Sequence, residues 1–327
     1  MKKSSWLFYM ILIISTLITL SSYNWMGMWI GLEMNMMSFM PLILNKANKS
    51  SSEAAMIYFL IQSVMSMIMF MMIIIEHINY NLSKELINLV MMMSILTKLG
   101  AAPFHYWMPT IMAKMEWNKI ILLMTWQKLA PMMMISNMNN SMVINLSIIS
   151  SVMVGSLGGI NQSSLRKMMG YSSINHLGWM LAINKFVSLW MIYFIIYSVL
   201  TTLMCKYFMI SKVYFLNQMS SLNMNNMEKV NLFIMMMSMG GLPPFMGFLP
   251  KWITIQNMIN NSNYFIMTIM IMFSLITLMY YMRVMTNMFL SFSTTIKWMT
   301  NKKNNALMLI MMIMNLSLPL IMMLDIM

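Results

Sequence analysis

A chain of 327 residues that is 60% hydrophobic and only 8% charged is not a soluble protein, in which about 25% charged residues are usual. Its net charge of +13 would suggest nucleic acid in a soluble domain. Here the basic residues are few and lie mostly between apolar runs, where they orient a membrane protein, so no nucleic-acid partner is expected. The single cysteine, Cys205, lies in an apolar run. It excludes disulfides and cysteine-ligated iron–sulfur clusters within the chain and is expected to be a small packing residue.

A helix needs about 20 apolar residues to cross the hydrocarbon core. Eleven such spans are predicted, near 4–22, 25–44, 55–76, 86–112, 119–137, 141–160, 170–184, 187–210, 230–262, 264–291 and 305–325. The runs are continuous rather than alternating, so helices and not barrel strands are expected. The fold class is therefore all-α and polytopic, with 1–327 as one transmembrane domain. The opening MKKSSWLFYMILIISTLITLSS begins like a secretory leader. Its apolar stretch is too long and no small-residue cleavage site follows, so it reads as a retained first helix. The 57 methionines are spread evenly. Compositional bias of an AT-rich genome that reads AUA as Met explains them better than a copper site, and the same bias explains triplets such as Asn48–Ser50 without glycosylation. Gly155 and Gly159, four apart in the sixth span, predict close helix packing.

The connecting segments alternate in charge. Fourteen basic residues fall on one side: Lys2, Lys3, Lys46, Lys49, Lys114, Lys119, Arg166, Lys167, Lys206, Lys212, Lys229, Lys297, Lys302 and Lys303. Only Lys84 and Lys185 fall on the other. The positive-inside rule puts the N-terminus on the cytoplasmic or matrix side and the C-terminus opposite.

The fourth and ninth spans are too long for one straight crossing, and each is interrupted by nearly the same text. One reads Gly100-Ala101-Ala102-Pro103-Phe104, the other Gly241-Leu242-Pro243-Pro244-Phe245. Proline removes a backbone donor and glycine frees the backbone. At membrane depth such a break survives only inside protein or against water. The breaks are five spans apart, so their helices run in opposite directions, as in inverted-topology repeats with discontinuous helices at the functional centre. The expected division is a first repeat over 1–137, a second over 138–291, and an added helix over 305–325.

Lys98, Lys128, Lys251 and Arg283 lie in apolar runs, and so does one acid, Glu33. Charge at membrane depth costs about 2.5–3.5 kcal/mol by the milder scales and marks ion or proton pathways. Burial disfavours an ammonium and a neighbouring carboxylate favours it, so Glu33 moving relative to a lysine would toggle its proton. A static ion pair, or snorkelling to the headgroups, is the bland alternative. His105 and His176 are expected near the positive face as helix-end polar residues or members of a proton network, rather than as haem ligands. His77 falls in a loop. No phosphate loop, dinucleotide fingerprint, metal cluster or nucleophile–base pair is visible.

At five motifs the chain resembles the mitochondrial subunit 2 family of NADH dehydrogenase (ubiquinone), antiporter-like membrane subunits of respiratory complex I. They are WIGLEMNMMSFMPL around Glu33, KLGAAPFHYWMP around Lys98, TWQKLAP around Lys128, GGINQSSLRKMMGYSSINHLGWM around His176 and GGLPPFMGFLPKW around Lys251. The resemblance runs from about residue 20 to 290, and the Met and Asn bias suits an invertebrate mitochondrial genome. It implies a proton-translocating subunit of the inner-membrane arm. Glu33 then matches the family's modulating acid, Lys98 its partner, Lys128 the central lysine and Lys251 the basic residue of the second broken helix. The eleven spans match the shortened animal form, which lacks three N-terminal helices of bacterial members. The resemblance also implies that NAD, FMN, iron–sulfur clusters and ubiquinone sit in other subunits, so this chain is a non-redox part of an enzyme without its own NADH site. Expected partners are antiporter-like and small hydrophobic membrane subunits, accessory subunits, and lipids such as cardiolipin. The expected location is the mitochondrial inner membrane, with the N-terminus in the matrix and the C-terminus in the intermembrane space. Two other readings are a stand-alone or multisubunit cation/proton antiporter, and an inert scaffold.

Overall fold

A computed structural model describes residues 3–44, 48–78, 83–138, 141–221, 226–289 and 305–319. Lys2, Lys46, Lys297, Lys302 and Lys303 lie outside the described residues, as do the closing residues of the predicted spans that end at 291 and 325. Among the described residues every element is a helix, apart from an isolated bridge between Ser164 and Phe215. Among the described residues four helices are each long and apolar enough to cross a membrane in one piece: α3 (Lys49–His77), α8 (Ser141–Ile160), α10 (Val187–Ser211) and α14 (Tyr264–Phe289). The chain divides into two compact units, Met1–Ser151 with Asn184–Val187, and Val152–Ile183 with Ser188–Met327.

The first unit holds α1 (Lys3–Ser21), α2 (Trp25–Ile43), α3, α4 (Lys84–Leu99), α5 (Trp107–Lys114), α6 (Trp117–Met124) and α7 (Trp126–Ser136), with the first part of α8. Gly31 of α2 lies against Ser15 and Thr19 of α1, where a larger side chain would overlap Thr19. Trp29 ties α2 to α3 by stacking on Phe70 at 4.5 Å and donating its indole N–H to the Ser66 carbonyl at 3.0 Å. Methionine fills much of the interior, with Met69, Met91, Met92, Met112, Met124, Met132 and Met134 fully buried. An unbranched thioether adapts to gaps that branched side chains leave.

The predicted fourth span is broken into α4 and α5, and the break has a local cause. Gly100 has φ +73°, a left-handed conformation that glycine adopts without a Cβ clash. The Ala101 N–H donates to the Leu96 carbonyl and the Gly100 N–H to the Thr97 carbonyl, both at 3.1 Å. This six-to-one, five-to-two pair is the Schellman closure of a helix end. Seven residues, Gly100 to Tyr106, then separate the helices.

The predicted fifth span is also interrupted, which its sequence did not announce. Helix α6 ends at Thr125, whose backbone (φ −108°, ψ −78°) departs from helical geometry before α7 begins. The Thr125 hydroxyl donates back to the Ile121 carbonyl at 2.7 Å, the back-bonding by which threonine bends helices. Pro131, inside α7, removes the N–H that would otherwise reach the Gln127 carbonyl four residues earlier.

The second unit holds the rest of α8, α9 (Leu165–Ala182), α10, α11 (Leu216–Ser221), α12 (Asn226–Gly240), α13 (Phe248–Asn260), α14 and α15 (Asn305–Leu316). Helix α9 starts five residues before the predicted seventh span, and α11 occupies a stretch expected to be a loop. Gly155 lies against the Asn175 backbone of α9, and Gly159 against the Tyr280 ring of α14, the close approaches that the glycine spacing predicts. Cys205 is buried and free.

The predicted ninth span breaks as the fourth does. Gly241 has φ +78°; the Leu242 N–H donates to the Met237 carbonyl at 3.3 Å and the Gly241 N–H to the Ser238 carbonyl at 2.9 Å. Again seven residues, Gly241 to Gly247, precede the next helix. Helices α5 and α13 each carry proline as their third residue, Pro109 and Pro250, where the missing N–H has no helical partner to lose. The α15 segment closes on this break: the Asn315 carbonyl accepts the Met246 N–H at 3.2 Å.

Candidate functional site

The first unit gathers its intramembrane charges around one cavity. Lys98, in the last turn of α4, is 7% exposed, and Lys128, in the first turn of α7, is 2% exposed. Both line the same cavity, with Asn35 of α2, Tyr58 and Gln62 of α3, and Gln127 of α7. The space open to water centres is about 20 Å³. One water needs about 10–15 Å³ on that measure and two to four polar partners, so the cavity suits one water, or two in close contact.

Its polar wall is ordered by side-chain amides. Gln127 donates through Nε2 to Asn35 Oδ1 at 2.9 Å and accepts the Tyr58 hydroxyl at Oε1 at 3.3 Å. Both ends of the Gln127 amide are thereby fixed, next in sequence to Lys128. Gln62 donates to the Lys98 carbonyl at 3.2 Å, and the Trp107 indole N–H to the Thr97 carbonyl at 3.0 Å. Gln62 satisfies a carbonyl that the end of α4 leaves open and Trp107 adds a second donor to the Thr97 carbonyl already bonded by Gly100, so neutral groups rather than the Lys98 ammonium complete this helix end.

Glu33 is held apart from this wall. Its Oε1 accepts the Ser66 hydroxyl at 2.5 Å, and its Oε2 is buried without a protein hydrogen-bond partner. It forms no ion pair with Lys98 within 4 Å. A static Glu33–Lys98 salt bridge, the bland alternative for this pair, is absent from the structure. An ion pair does form between Glu53 and Lys114, at 2.8 Å and partly exposed.

The second unit treats its cations differently. Lys251, 4% exposed in the first turn of α13, reaches back across the break and donates to the Gly240 carbonyl at 2.6 Å. Its ammonium lies 5.5 Å from the centre of the Trp179 ring of α9. Gly241 is needed twice, for its φ and because the Lys251 stem crosses where a Cβ would stand. Arg283 of α14 likewise donates to a backbone carbonyl, that of Gln162, at 2.6 Å. Among the described residues of this unit Glu228 is the sole acid. The helix-end carbonyl at Gly240, with its share of the helix dipole, stands where a carboxylate would otherwise be.

His176 is set among tyrosines. Its Nδ1 lies 2.9 Å from the Tyr193 hydroxyl, and its ring is 5.0 Å from that of Tyr197. It is nine residues from both Lys167 and Lys185, a position inside α9 rather than at a helix end. His105 sits within the first break with Nδ1 3.2 Å from the Pro103 carbonyl. Pro243 and Pro244 are exposed parts of the second break. Asn35, Tyr58, Gln62, Ser66, Gln127 and Trp179 escaped a reading confined to ionisable groups. An amide in mid-span, such as Gln62 in α3, was the available signal. Among the described residues no three His, Cys, Asp or Glu side chains group as a metal site.

A helical fold with two broken helices and buried lysines at the breaks defines a class of antiporter-type membrane subunits. Residues 22–277 match the family described as NADH:quinone oxidoreductase/Mrp antiporter, transmembrane. A chain of respiratory complex I from Thermus thermophilus superposes with a TM-score of 0.83 at 18% identity, over 97% of this chain and 78% of that one. A chain of the Mrp complex from Dietzia gives 0.77 at 13% identity, over 86% and 60%. Among named relatives, NADH-ubiquinone oxidoreductase chain 2 of Anopheles gambiae is 44% identical over 96% of this chain and 95% of that protein. The protein of the same name from Oryctolagus cuniculus is 40% identical over 88% and 87%. The chain belongs to the NADH-ubiquinone oxidoreductase chain 2 family.

Proposed function

We propose that this chain is a proton-translocating subunit in the membrane arm of NADH:ubiquinone oxidoreductase, working without redox chemistry of its own. The observation that carries the reading is the cavity shared by Lys98 and Lys128. Two buried ammonium groups facing one water-sized polar space have little structural use, since packing alone would select apolar side chains. Water there would link the lysines, accepting a proton from one as it passes another to the next. A carboxylate favours the charged form of a nearby ammonium, so movement of Glu33 relative to Lys98 would bias which lysine holds the proton. Ser66 fixes one carboxylate oxygen, and the other is left for a mobile donor. The route then continues to Lys251 in the second unit. Redox chemistry in other subunits, which carry NAD, FMN, iron–sulfur clusters and ubiquinone, supplies the driving force.

The same reading carries eleven spans, with the α4–α5, α6–α7 and α12–α13 pairs each counted as one interrupted crossing. It also carries two inverted repeats over 1–137 and 138–291 and an added helix over 305–325. Support comes from the identical closure of the two breaks, residue for residue from Gly100 and Gly241. The N-terminus lies in the matrix and the C-terminus in the intermembrane space. Partners are the other membrane-arm subunits, accessory subunits and anionic lipid such as cardiolipin.

The test is Lys128→Met in the assembled complex. Electron transfer and assembly on a native gel should persist while proton uptake per NADH oxidised falls. Full pumping in that variant would remove Lys128 from the route.

A further inference from the structure

Lys251 is a buried cation held by a neutral backbone carbonyl in a unit whose described residues include one acid, far along the sequence at Glu228. A carbonyl satisfies one of the three ammonium N–H bonds. The second contact is the ring of Trp179, 5.5 Å from the ammonium, on a side chain that is 1% exposed. An aromatic face attracts a cation within about 6 Å, tryptophan most strongly, and more so away from water.

The Trp179 N–H is buried and has no protein acceptor, and an unmatched buried donor costs free energy that phenylalanine would avoid. What tryptophan adds over phenylalanine is the larger and more electron-rich face. Gly241 carries no Cβ where the end of the Lys251 side chain crosses, so the ammonium can be carried past the break to the ring.

We propose that Trp179 is a positioning residue for Lys251. Its ring face and the Gly240 carbonyl together hold the lysine's charge in place of a carboxylate, which sets where the proton rests in the second unit. Among the described residues no carboxylate pairs with Lys251, so the proton is held by a quadrupole and a dipole. Both release it without leaving a bare anion behind.

This rests on the proton-translocation reading above, and the test separates the two. Trp179→Phe, Trp179→Leu, Lys251→Met and the double variant Trp179→Leu/Lys251→Met are compared in the assembled complex. Each is scored for assembly on a native gel, NADH:ubiquinone electron transfer, and proton uptake per NADH oxidised. The expected result is that Trp179→Phe assembles fully yet loses part of the pumping that Lys251→Met loses. Trp179→Leu should lose most of it, and the double variant should be no worse than Lys251→Met. Normal pumping in Trp179→Phe together with normal pumping, or failed assembly alone, in Trp179→Leu would reduce Trp179 to packing and overturn the proposal. Normal pumping in Lys251→Met would instead overturn the role of Lys251 in translocation.

Discussion

Alanine at the two break glycines should have unequal consequences, although the glycines share a conformation. Both have φ near +75°, +73° at Gly100 and +78° at Gly241. A left-handed non-glycine residue costs about 1–2 kcal/mol, so that term is common to both. Their surroundings differ. A Cβ at Gly100 would meet Trp107 and Met108 side-chain atoms at 3.2–3.4 Å, a crowding that shifts of a few tenths of an ångström in both side chains relieve. A Cβ at Gly241 would stand 2.7 Å from Cδ, Cε and Nζ of Lys251, so the stem has to move. The ammonium then loses its 2.6 Å bond to the Gly240 carbonyl, a charge-assisted bond of about 1.5–3 kcal/mol. Gly241→Ala is thus expected to cost about 2.5–5 kcal/mol by adding those terms, against about 1–2 kcal/mol for Gly100→Ala. Complex assembly on native gels and proton uptake per NADH oxidised measure the outcome. Gly100→Ala should assemble with slightly reduced yield and pump normally. Gly241→Ala should pump poorly even in the fraction that assembles. Equal pumping in the two assembled variants would show that the seating of Lys251 on the helix end is irrelevant, and would refute the reasoning.

Three further outcomes follow from the polar geometry. Ser66→Ala removes the donor 2.5 Å from Glu33, a hydrogen bond to charge of about 1.5–3 kcal/mol; pumping should fall with assembly retained, and wild-type pumping would show that the carboxylate needs no fixed donor. Gln127→Leu breaks the Asn35–Gln127–Tyr58 chain and strands an amide and a hydroxyl, each at about 1–3 kcal/mol, so the complex should lose both thermal stability and pumping. Loss of stability alone would make that chain scaffolding. Glu53→Gln removes an ion pair whose partners are 45% and 34% exposed, where solvent screens the attraction; assembly and pumping should match wild type, and a defect in either would give that pair an unforeseen role.

The breaks were legible because their chemistry is local. Glycine and proline at fixed offsets signal a helix break by themselves, and both helices break there, each with a Schellman closure that the sequence reading did not specify. The interruption at Thr125 was not legible, because threonine occurs throughout ordinary spans and a bend there depends on packing around α6 and α7. The lysines announced themselves by their cost in an apolar run. What each would touch did not, since the sequence does not reveal that Lys98 is spared from capping by Gln62 and Trp107 while Lys251 is consumed by it. Nor could it show that Glu33 pairs with a serine from the neighbouring helix instead of a lysine.

The methionine-filled interior has a consequence for how such a chain can drift. Exchanging one unbranched or branched aliphatic side chain for another of similar volume usually costs below about 1.5 kcal/mol, and Met91, Met92, Met235 and Met236 are buried positions of that kind. Most of the core is therefore replaceable one residue at a time without crossing a threshold of stability. Gly241 is not, because no other residue satisfies both its backbone and the lysine laid across it. Mutation can rewrite the lipid-like bulk of this molecule while a small set of polar and glycine positions stays pinned. That is how chains only 13–18% identical superpose with TM-scores of 0.77–0.83.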